Sequence, residues 1–112
     1  ISGVDPNVMG YGPVPAIRQA LQRAGKSIDD MDLVEVNEAF APVALAAEKE
    51  LGIDRSKLNI NGSSIATGHP FAATGGRIVS SLAKMIDEKG SGRGLISICA
   101  AGGQGVVAIV EK

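Results

Sequence analysis

Apolar residues recur with the spacing of one helix face in three segments of the chain. The segment 14–24 has apolar side chains at positions i, i+3, i+4 and i+7 with charged and amide side chains on the other face, which predicts an amphipathic helix. A second helix is predicted over 38–51 with Asn37 as its N-cap, and a third over 74–89. The stripe predicted to face the core in the third helix consists of Ile78, Val79, Leu82, Met85 and Ile86.

Three short apolar segments predict strands, at 33–36, 95–99 and 106–110. The last two flank a glycine-rich turn, which is typical of an antiparallel hairpin. The segment 27–31 is predicted to be a short turn, and 59–70 an irregular polar connection. Helices that alternate with strands in this way indicate an α/β fold in which helices pack in layers on a mixed sheet.

We predict a single structural unit over residues 1–112, because no repeat, low-complexity tract or proline-rich linker divides the chain. The chain begins at Ile1 rather than at a methionine, and its strands are few for a free-standing sheet. We therefore expect a piece of a longer polypeptide, with an unpaired edge on its sheet.

Composition argues against several classes of function. The 11 Lys and Arg residues against 12 Asp and Glu residues leave a net charge of −1, and aromatic residues are scarce, so nucleic-acid binding is not predicted. No apolar run reaches the roughly 18 residues of a membrane span. One cysteine and one histidine form neither a disulfide within the chain nor a Cys/His zinc site. We expect a soluble protein of the cytoplasm, with mitochondrion and peroxisome open for a eukaryotic source.

Three glycine-flanked polar segments fall in connections between the predicted elements, at 37–40, 68–70 and 99–103. Each has an ordinary structural explanation: the asparagine is a good helix cap, the histidine a loop residue, and the cysteine a small buried apolar side chain. Together they carry more weight, because the only histidine and the only cysteine both lie in glycine-rich turns. Such turns let a substrate approach the backbone closely.

The three segments coincide with the motifs of one family. Asn-Glu-Ala-Phe-Ala at 37–41, Asn-Gly-x-x-Ile-Ala-x-Gly-His-Pro at 61–70 and Cys-x-x-Gly-Gly-Gln-Gly at 99–105 resemble the C-terminal catalytic region of thiolases. The segment 9–16 is similar to the one that precedes the first motif in that family. The resemblance runs from about residue 5 to residue 112 and implies a thiolase-like layered fold.

The resemblance implies reversible acyl transfer between a 3-ketoacyl-CoA and CoA, with acetyl-CoA as product or donor, as in fatty-acid metabolism. Coenzyme A is then a substrate, and no cofactor or metal is implied. In that family a nucleophilic cysteine comes from an N-terminal domain, and a loop domain binds most of CoA. Neither lies within residues 1–112, so the chain is expected to be an incomplete C-terminal domain, inactive alone and part of a homo-oligomer in the intact enzyme.

The resemblance also implies roles for individual residues. His69 accepts the proton of the missing nucleophilic cysteine, because an imidazole beside a thiol activates it. Cys99 serves as acid in one direction and base in the other at the substrate's α-carbon. His69 and a water held by Asn37 stabilise one thioester oxyanion.

A second oxyanion site is implied at backbone N–H groups of the missing nucleophile and of the turn at Ala101 and Gly102. Met9 and Phe40 are expected to line the pantetheine and acyl channel as apolar walls. Many thiolases have glycine where Ala101 stands, a change that keeps the backbone donor.

Two other functions compete with this hypothesis. A decarboxylating condensing enzyme of the same superfamily uses a second histidine where this chain has Cys99. A noncatalytic oligomerisation or binding module of thiolase-like fold is the alternative from a different class. The segment 71–75 is similar to thiolase subunits of multifunctional fatty-acid oxidation complexes, whereas Asn37 is similar to ordinary thiolases, so the acyl chain length stays open.

Overall fold

A four-stranded mixed sheet organises the chain. The computed structural model, which describes residues 1–112, orders its strands as β1 (Ser2–Gly3), β4 (Gln104–Glu111), β3 (Arg93–Ala100) and β2 (Leu33–Val36). β2 runs parallel to β3, whereas β3 and β4 form an antiparallel hairpin and β1 pairs antiparallel with β4. The predicted α/β class, mixed sheet and hairpin are confirmed, and the two-residue β1 is an addition.

The first helix, α1 (Pro13–Ala24), confirms the first helical prediction. Proline is tolerated at its start, because the N–H groups of a first helical turn have no carbonyl partner within the helix. Its end is set by Gly25, whose left-handed backbone (φ 62°) lets its N–H bond back to the carbonyls of Gln22 and Leu21. The predicted turn at 27–31 forms as a 3-10 turn over Ile28–Asp30.

The second helix, α2 (Ala41–Leu51), starts three residues later than predicted, so Asn37 is not its N-cap. Phe40 takes that position with an extended backbone (φ −158°, ψ 157°). Asn37 instead continues the sheet, because its N–H donates to the Ser97 carbonyl at 2.8 Å. This bond keeps Asn37 at the end of β2, and its side chain stays free for other partners.

The region after α2 is more helical than predicted. The connection 59–70, expected to be irregular, contains a one-turn helix, α3 (Ser64–Thr67). The long helix α4 (Phe71–Lys89) begins directly after Pro70, three residues before the predicted start. Its stripe is buried except for Val79, which is 37% exposed. Successive residues are rotated by about 100° around a helix, so Val79 lies to one side of the face that carries Ile78 and Leu82.

The two faces of the sheet carry separate apolar clusters. Side chains alternate across β3, so Leu95 packs with α1 and α2 while Ile96 packs against α4. The larger cluster includes Cys99, Val34 and Val36 on the α1 and α2 face. Burial on both faces holds β2 and β3 rigidly, which matters because the chain's candidate site lies at their carboxyl ends.

The two edges of the sheet differ. β4 pairs with β1 only at Gln104 and Gly105, so the rest of its outer side has no neighbouring strand, as predicted. The outer side of β2 is closed by Asn59, whose backbone and side chain make three hydrogen bonds of 2.8–2.9 Å to Val34 and Val36. None of the helices is long and apolar enough to cross a membrane.

Candidate active site

A cavity of about 420 Å³ opens where β2 and β3 end. Because these strands are parallel, their carboxyl ends meet at the same edge of the sheet, and the loops that follow them converge there. His69 is the only strongly polar side chain on the wall. The lining residues are Met9, Ala39, Phe40, His69, Phe71, Ile98, Cys99, Ala100 and Ala101.

A close approach of two backbones brings Met9 to this cavity. Gly12 and Gly105 touch where the start of α1 crosses β4, and a Cβ atom on Gly105 would lie 2.1 Å from the Gly12 carbonyl oxygen. Only glycine fits at that distance. The preceding 3-10 segment, Pro6–Tyr11, is thereby held against the strand ends with Met9 on the cavity wall.

Most of the predicted site residues come together in the structure. His69, Cys99, Met9, Phe40 and Ala101 line one cavity. The fully buried Asn37 stands behind it in contact with His69, and Gly102 lies outside it, in the exposed turn between β3 and β4. The amide, the imidazole and the thiol thus share one region, although they are far apart along the chain.

The imidazole of His69 is held by the first turn of α4. Its Nδ1 lies 2.7 Å from Oγ1 of Thr74, and that hydroxyl donates to the Pro70 carbonyl at 3.1 Å. Since the threonine proton is engaged, the hydroxyl accepts from Nδ1–H. The hydrogen-bond network therefore assigns the ring proton to Nδ1 and leaves a lone pair on Nε2.

Asn37 lies against the face of the same ring. Its Nδ2 lies 3.3 Å from Nε2 and 3.4 Å from Nδ1 of His69. Its Oδ1 accepts a hydrogen bond from the Ser64 hydroxyl, so the amide presents N–H groups to the imidazole. Because Nδ2 is nearly equidistant from the two ring nitrogens, it lies over the face of the imidazole and leaves the Nε2 lone pair open.

Cys99 contributes a thiol that is 4% exposed, near the end of β3. Burial raises the pKa of this thiol, because the thiolate would lose its hydration. The thiol is therefore protonated at neutral pH, a form suited to giving up a proton to a carbanion rather than to nucleophilic attack.

Residues 1–112 match the family model described as "Thiolase, C-terminal domain". The chain belongs to the thiolase family. It is 53% identical over 112 residues to a mitochondrial 3-ketoacyl-CoA thiolase of Bos taurus and 52% identical over 110 residues to an acetyl-CoA acetyltransferase of Shinella zoogloeoides. The first alignment covers 100% of this chain and 28% of the relative's length, and the second covers 98% and 28%.

Solved thiolase structures share the fold. The human mitochondrial 3-ketoacyl-CoA thiolase in complex with CoA superimposes with a TM-score of 0.96 at 51% identity, covering 99% of this chain and 28% of that one. The acetyl-CoA acetyltransferase of Bacillus anthracis gives 0.95 at 49% identity, covering 98% and 28%. The resemblance and the fold class inferred from the sequence are thus confirmed, and the chain spans about 28% of its relatives' length.

Sequence reasoning about the thiolase motifs overlooked several neighbours of the site. Phe71 lines the cavity, remains 89% exposed, and sets its ring edge-on to His69 with the centroids 5.1 Å apart. Thr74 and Ser64 hold the imidazole and the amide. The hydroxyl of Thr74 could have been found from its place four residues after Pro70, the spacing of one helical turn. No sequence signal marks Ser64.

The thiolase domain also buries a carboxyl group beside the site. Glu35 on β2 is 3% exposed, and no hydrogen bond from the protein reaches its side chain. Burial raises its pKa from 4.5 to about 7, Arg77 opposes that rise, and Glu38 adds to it. No group of three or more His, Cys, Asp or Glu side chains is placed to hold a metal ion.

Proposed function

We propose that this chain is the C-terminal catalytic part of an enzyme that transfers acyl groups between a 3-ketoacyl-CoA and CoA. The observation that carries the proposal is the meeting of Asn37, His69 and Cys99 at one apolar cavity. Thiolysis of a 3-ketoacyl-CoA needs a base for a thiol, a proton donor for the departing carbanion and donors for thioester oxyanions. These three side chains supply that set.

His69 is proposed to be the base. The lone pair on Nε2 can accept the proton of a nucleophilic cysteine, and Nδ1–H stays bonded to Thr74 throughout. Once protonated, Nε2–H can donate to a thioester oxygen. The Asn37 N–H groups, which lie beside the ring, can bind the same oxygen through a water.

Cys99 is proposed to protonate the acetyl-CoA carbanion after carbon–carbon cleavage and to remove that proton in the condensation direction. The raised pKa of the thiol favours this role, because the proton stays on sulfur until a strong base forms beside it. The backbone N–H groups of Ala101 and Gly102 are proposed as donors to the second oxyanion, although only Ala101 lines the cavity.

The cavity wall suits the rest of a CoA thioester. Met9 and Phe40 present apolar surface to an acyl or pantetheine chain. Coenzyme A is a substrate in this proposal and no further cofactor takes part. The partners are CoA, its acyl thioesters and the portion of the enzyme that supplies the nucleophilic cysteine, within a homo-oligomer.

The compartment is proposed to be the cytoplasm. A single unpaired cysteine is compatible with a reducing environment. Relatives named mitochondrial and cytosolic both occur.

A chimera tests the proposed activity. The segment of human mitochondrial 3-ketoacyl-CoA thiolase that this chain matches is replaced by residues 1–112, and thiolysis of acetoacetyl-CoA is measured. We expect an active enzyme, and we expect Cys99→Ala to lower kcat about a thousandfold, within the usual range for a general acid–base group. Cys99→Ser, which keeps the size of the side chain, serves as the packing control and is expected to be almost as inactive.

Two results would contradict the proposal. Near-full activity of the Cys99→Ala chimera removes the acid–base role of the thiol. A folded chimera that binds CoA but does not turn over supports the noncatalytic module instead.

A further inference from the structure

The amide of Asn37 can sit in its site in two ways, related by a flip that exchanges oxygen and nitrogen. In one orientation it presents donors to His69, and in the other a carbonyl oxygen. Only the first provides the N–H groups for the donor role proposed above. No in-line hydrogen bond to a ring nitrogen of His69 selects it, so the selection depends on the other neighbours of this fully buried side chain.

Ser64 lies on the far side of that amide. It is the first residue of α3, 5% exposed, and its hydroxyl is hydrogen-bonded to Oδ1 of Asn37. A hydroxyl can donate or accept, so this contact alone does not settle the orientation of the amide.

Arg77 removes the ambiguity. Its Nη2 lies 2.8 Å from the Ser64 oxygen, and a guanidinium can only donate. The Ser64 oxygen therefore accepts from Arg77 and turns its single proton toward Asn37. An atom that receives this proton must be Oδ1, so Nδ2 is left facing the imidazole.

We propose that Ser64, held by Arg77, is a positioning residue that sets the Asn37 amide with its N–H groups toward His69. Hydrogen bonds then run in one direction, from Arg77 through Ser64 to Oδ1 of Asn37, whose N–H groups lie against the ring of His69. A separate pair of bonds runs from Nδ1 of the ring through Thr74 to the Pro70 carbonyl. The inference rests on the proposed function, because it concerns the donors of the same oxyanion site.

A double-mutant cycle in the chimera measures this coupling. Ser64→Ala leaves Oδ1 without its donor and lets the amide flip, so we expect kcat to fall about tenfold with KM within about twofold. In an Asn37→Ala background the same substitution is expected to change kcat by less than about twofold, because the amide it orients is gone. Equal losses in both backgrounds, or no loss in either, would overturn the proposal.

Ser63→Ala is the matched control. Ser63 is the adjacent residue, it is 1% exposed, and its buried hydroxyl has no hydrogen-bond partner. Removing it deletes the same atom from the same local environment without touching Asn37. We expect kcat within about twofold of the parent, and a tenfold loss there would assign the Ser64 effect to packing.

A spectroscopic readout needs no turnover. The chimera is assembled by protein trans-splicing so that only residues 1–112 carry ¹⁵N-histidine, which makes His69 the sole labelled ring. We expect the parent to show the tautomer with the proton on Nδ1, and Ser64→Ala to shift the Nε2 signal while Ser63→Ala does not. A proton on Nε2 in the parent, or an unchanged Nε2 signal in Ser64→Ala, overturns the inference.

The two measurements separate the two proposals. An inactive parent chimera with the expected ring signals counts against the proposed function alone. An active parent whose Ser64→Ala variant is unaffected in both kinetics and spectrum counts against the positioning role alone.

Discussion

The two ends of the β2–β3 pair carry polar networks of opposite character. At the amino end, Asp32 accepts hydrogen bonds from the Arg93 N–H and from Lys89, and Arg93 pairs with Glu111 at 2.6 Å. These charges are open to water. At the carboxyl end, the hydrogen bonds from Arg77 through Ser64 to Asn37 are mostly buried, and the Glu38 carboxylate beside them accepts from the Ile65 N–H.

This difference shows what each network can do. Exposed ion pairs are screened by water and contribute little, and either partner can find a substitute there. Buried hydrogen bonds have no substitute, so each donor requires a particular acceptor. The amino end therefore tolerates change, whereas the carboxyl end fixes orientations, which is what a catalytic site needs.

Asn37→Leu is expected to break the carboxyl-end network most severely. The leucine leaves the Ser64 hydroxyl without its acceptor and removes the amide that lies against the His69 ring. We expect the free energy of unfolding of the chain to fall by about 3 kcal/mol. Urea denaturation followed by circular dichroism measures it, and a loss as small as that of an exposed ion pair would contradict the comparison.

Glu35→Gln tests how much a buried negative charge in the middle of β2, between the two ends, lowers the free energy of unfolding. Its pKa is raised from 4.5 to about 7, so the folded state binds the proton more tightly than the unfolded state. Stability should therefore fall as pH rises from 4.5 to 7 and stay lower above. The glutamine variant should lose this dependence and be more stable than the parent at pH 8, by up to about 3 kcal/mol.

Urea denaturation of parent and variant at pH 5 and pH 8 checks this prediction. The quantity of interest is the difference between the two proteins, because other groups titrate in both. A difference that is the same at both pH values would show that the carboxylate is not penalised by burial.

Thr74→Val keeps the shape of a 1% exposed side chain and removes the acceptor of His69 Nδ1–H. We expect a loss of about 2 kcal/mol in the free energy of unfolding. In the chimera kcat should also fall, because the ring is free to rotate and to change tautomer. Thr74→Ser, which retains the hydroxyl, is the control and should recover most of the activity.

Lys89→Met should have the smallest effect, because it removes one exposed partner of Asp32 and leaves the Arg93 N–H in place. The midpoint of thermal unfolding is expected to shift by less than about 2 °C. The shift should shrink further in about 0.5 M NaCl, where exposed charges are screened. A larger effect would make the amino end as demanding as the carboxyl end.

Much of the fold could be predicted because it rests on local patterns. The period of apolar residues placed α1, β2 and the hairpin of β3 and β4 close to their observed bounds. Errors occurred where a tertiary contact overrode a local preference. Asn37 has the side chain of a helix cap, yet its backbone bond to Ser97 holds it in the sheet and α2 starts later.

The candidate site divides along the same line. His69 and Cys99 could be predicted as site residues because each lies in a continuous sequence motif. The parallel strands β2 and β3 then bring such segments to one edge of the sheet. Gly102 lies outside the cavity, because the turn after β3 points it to solvent. Phe71 could not be assigned to the cavity, because an apolar residue at the start of a helix is usually part of the core.

The sequence by itself determined the three longer helices, the strands β2, β3 and β4, and the family, since each depends on residues a few positions apart or on ordered motifs. Only the tertiary structure decided which way the Asn37 amide faces. That choice depends on the hydroxyl of Ser64, and the direction of this hydroxyl depends on a guanidinium from α4. The proton of such a hydroxyl has a single position only when all of its hydrogen-bond partners are packed in place. No pattern of neighbouring residues in the sequence predicts that.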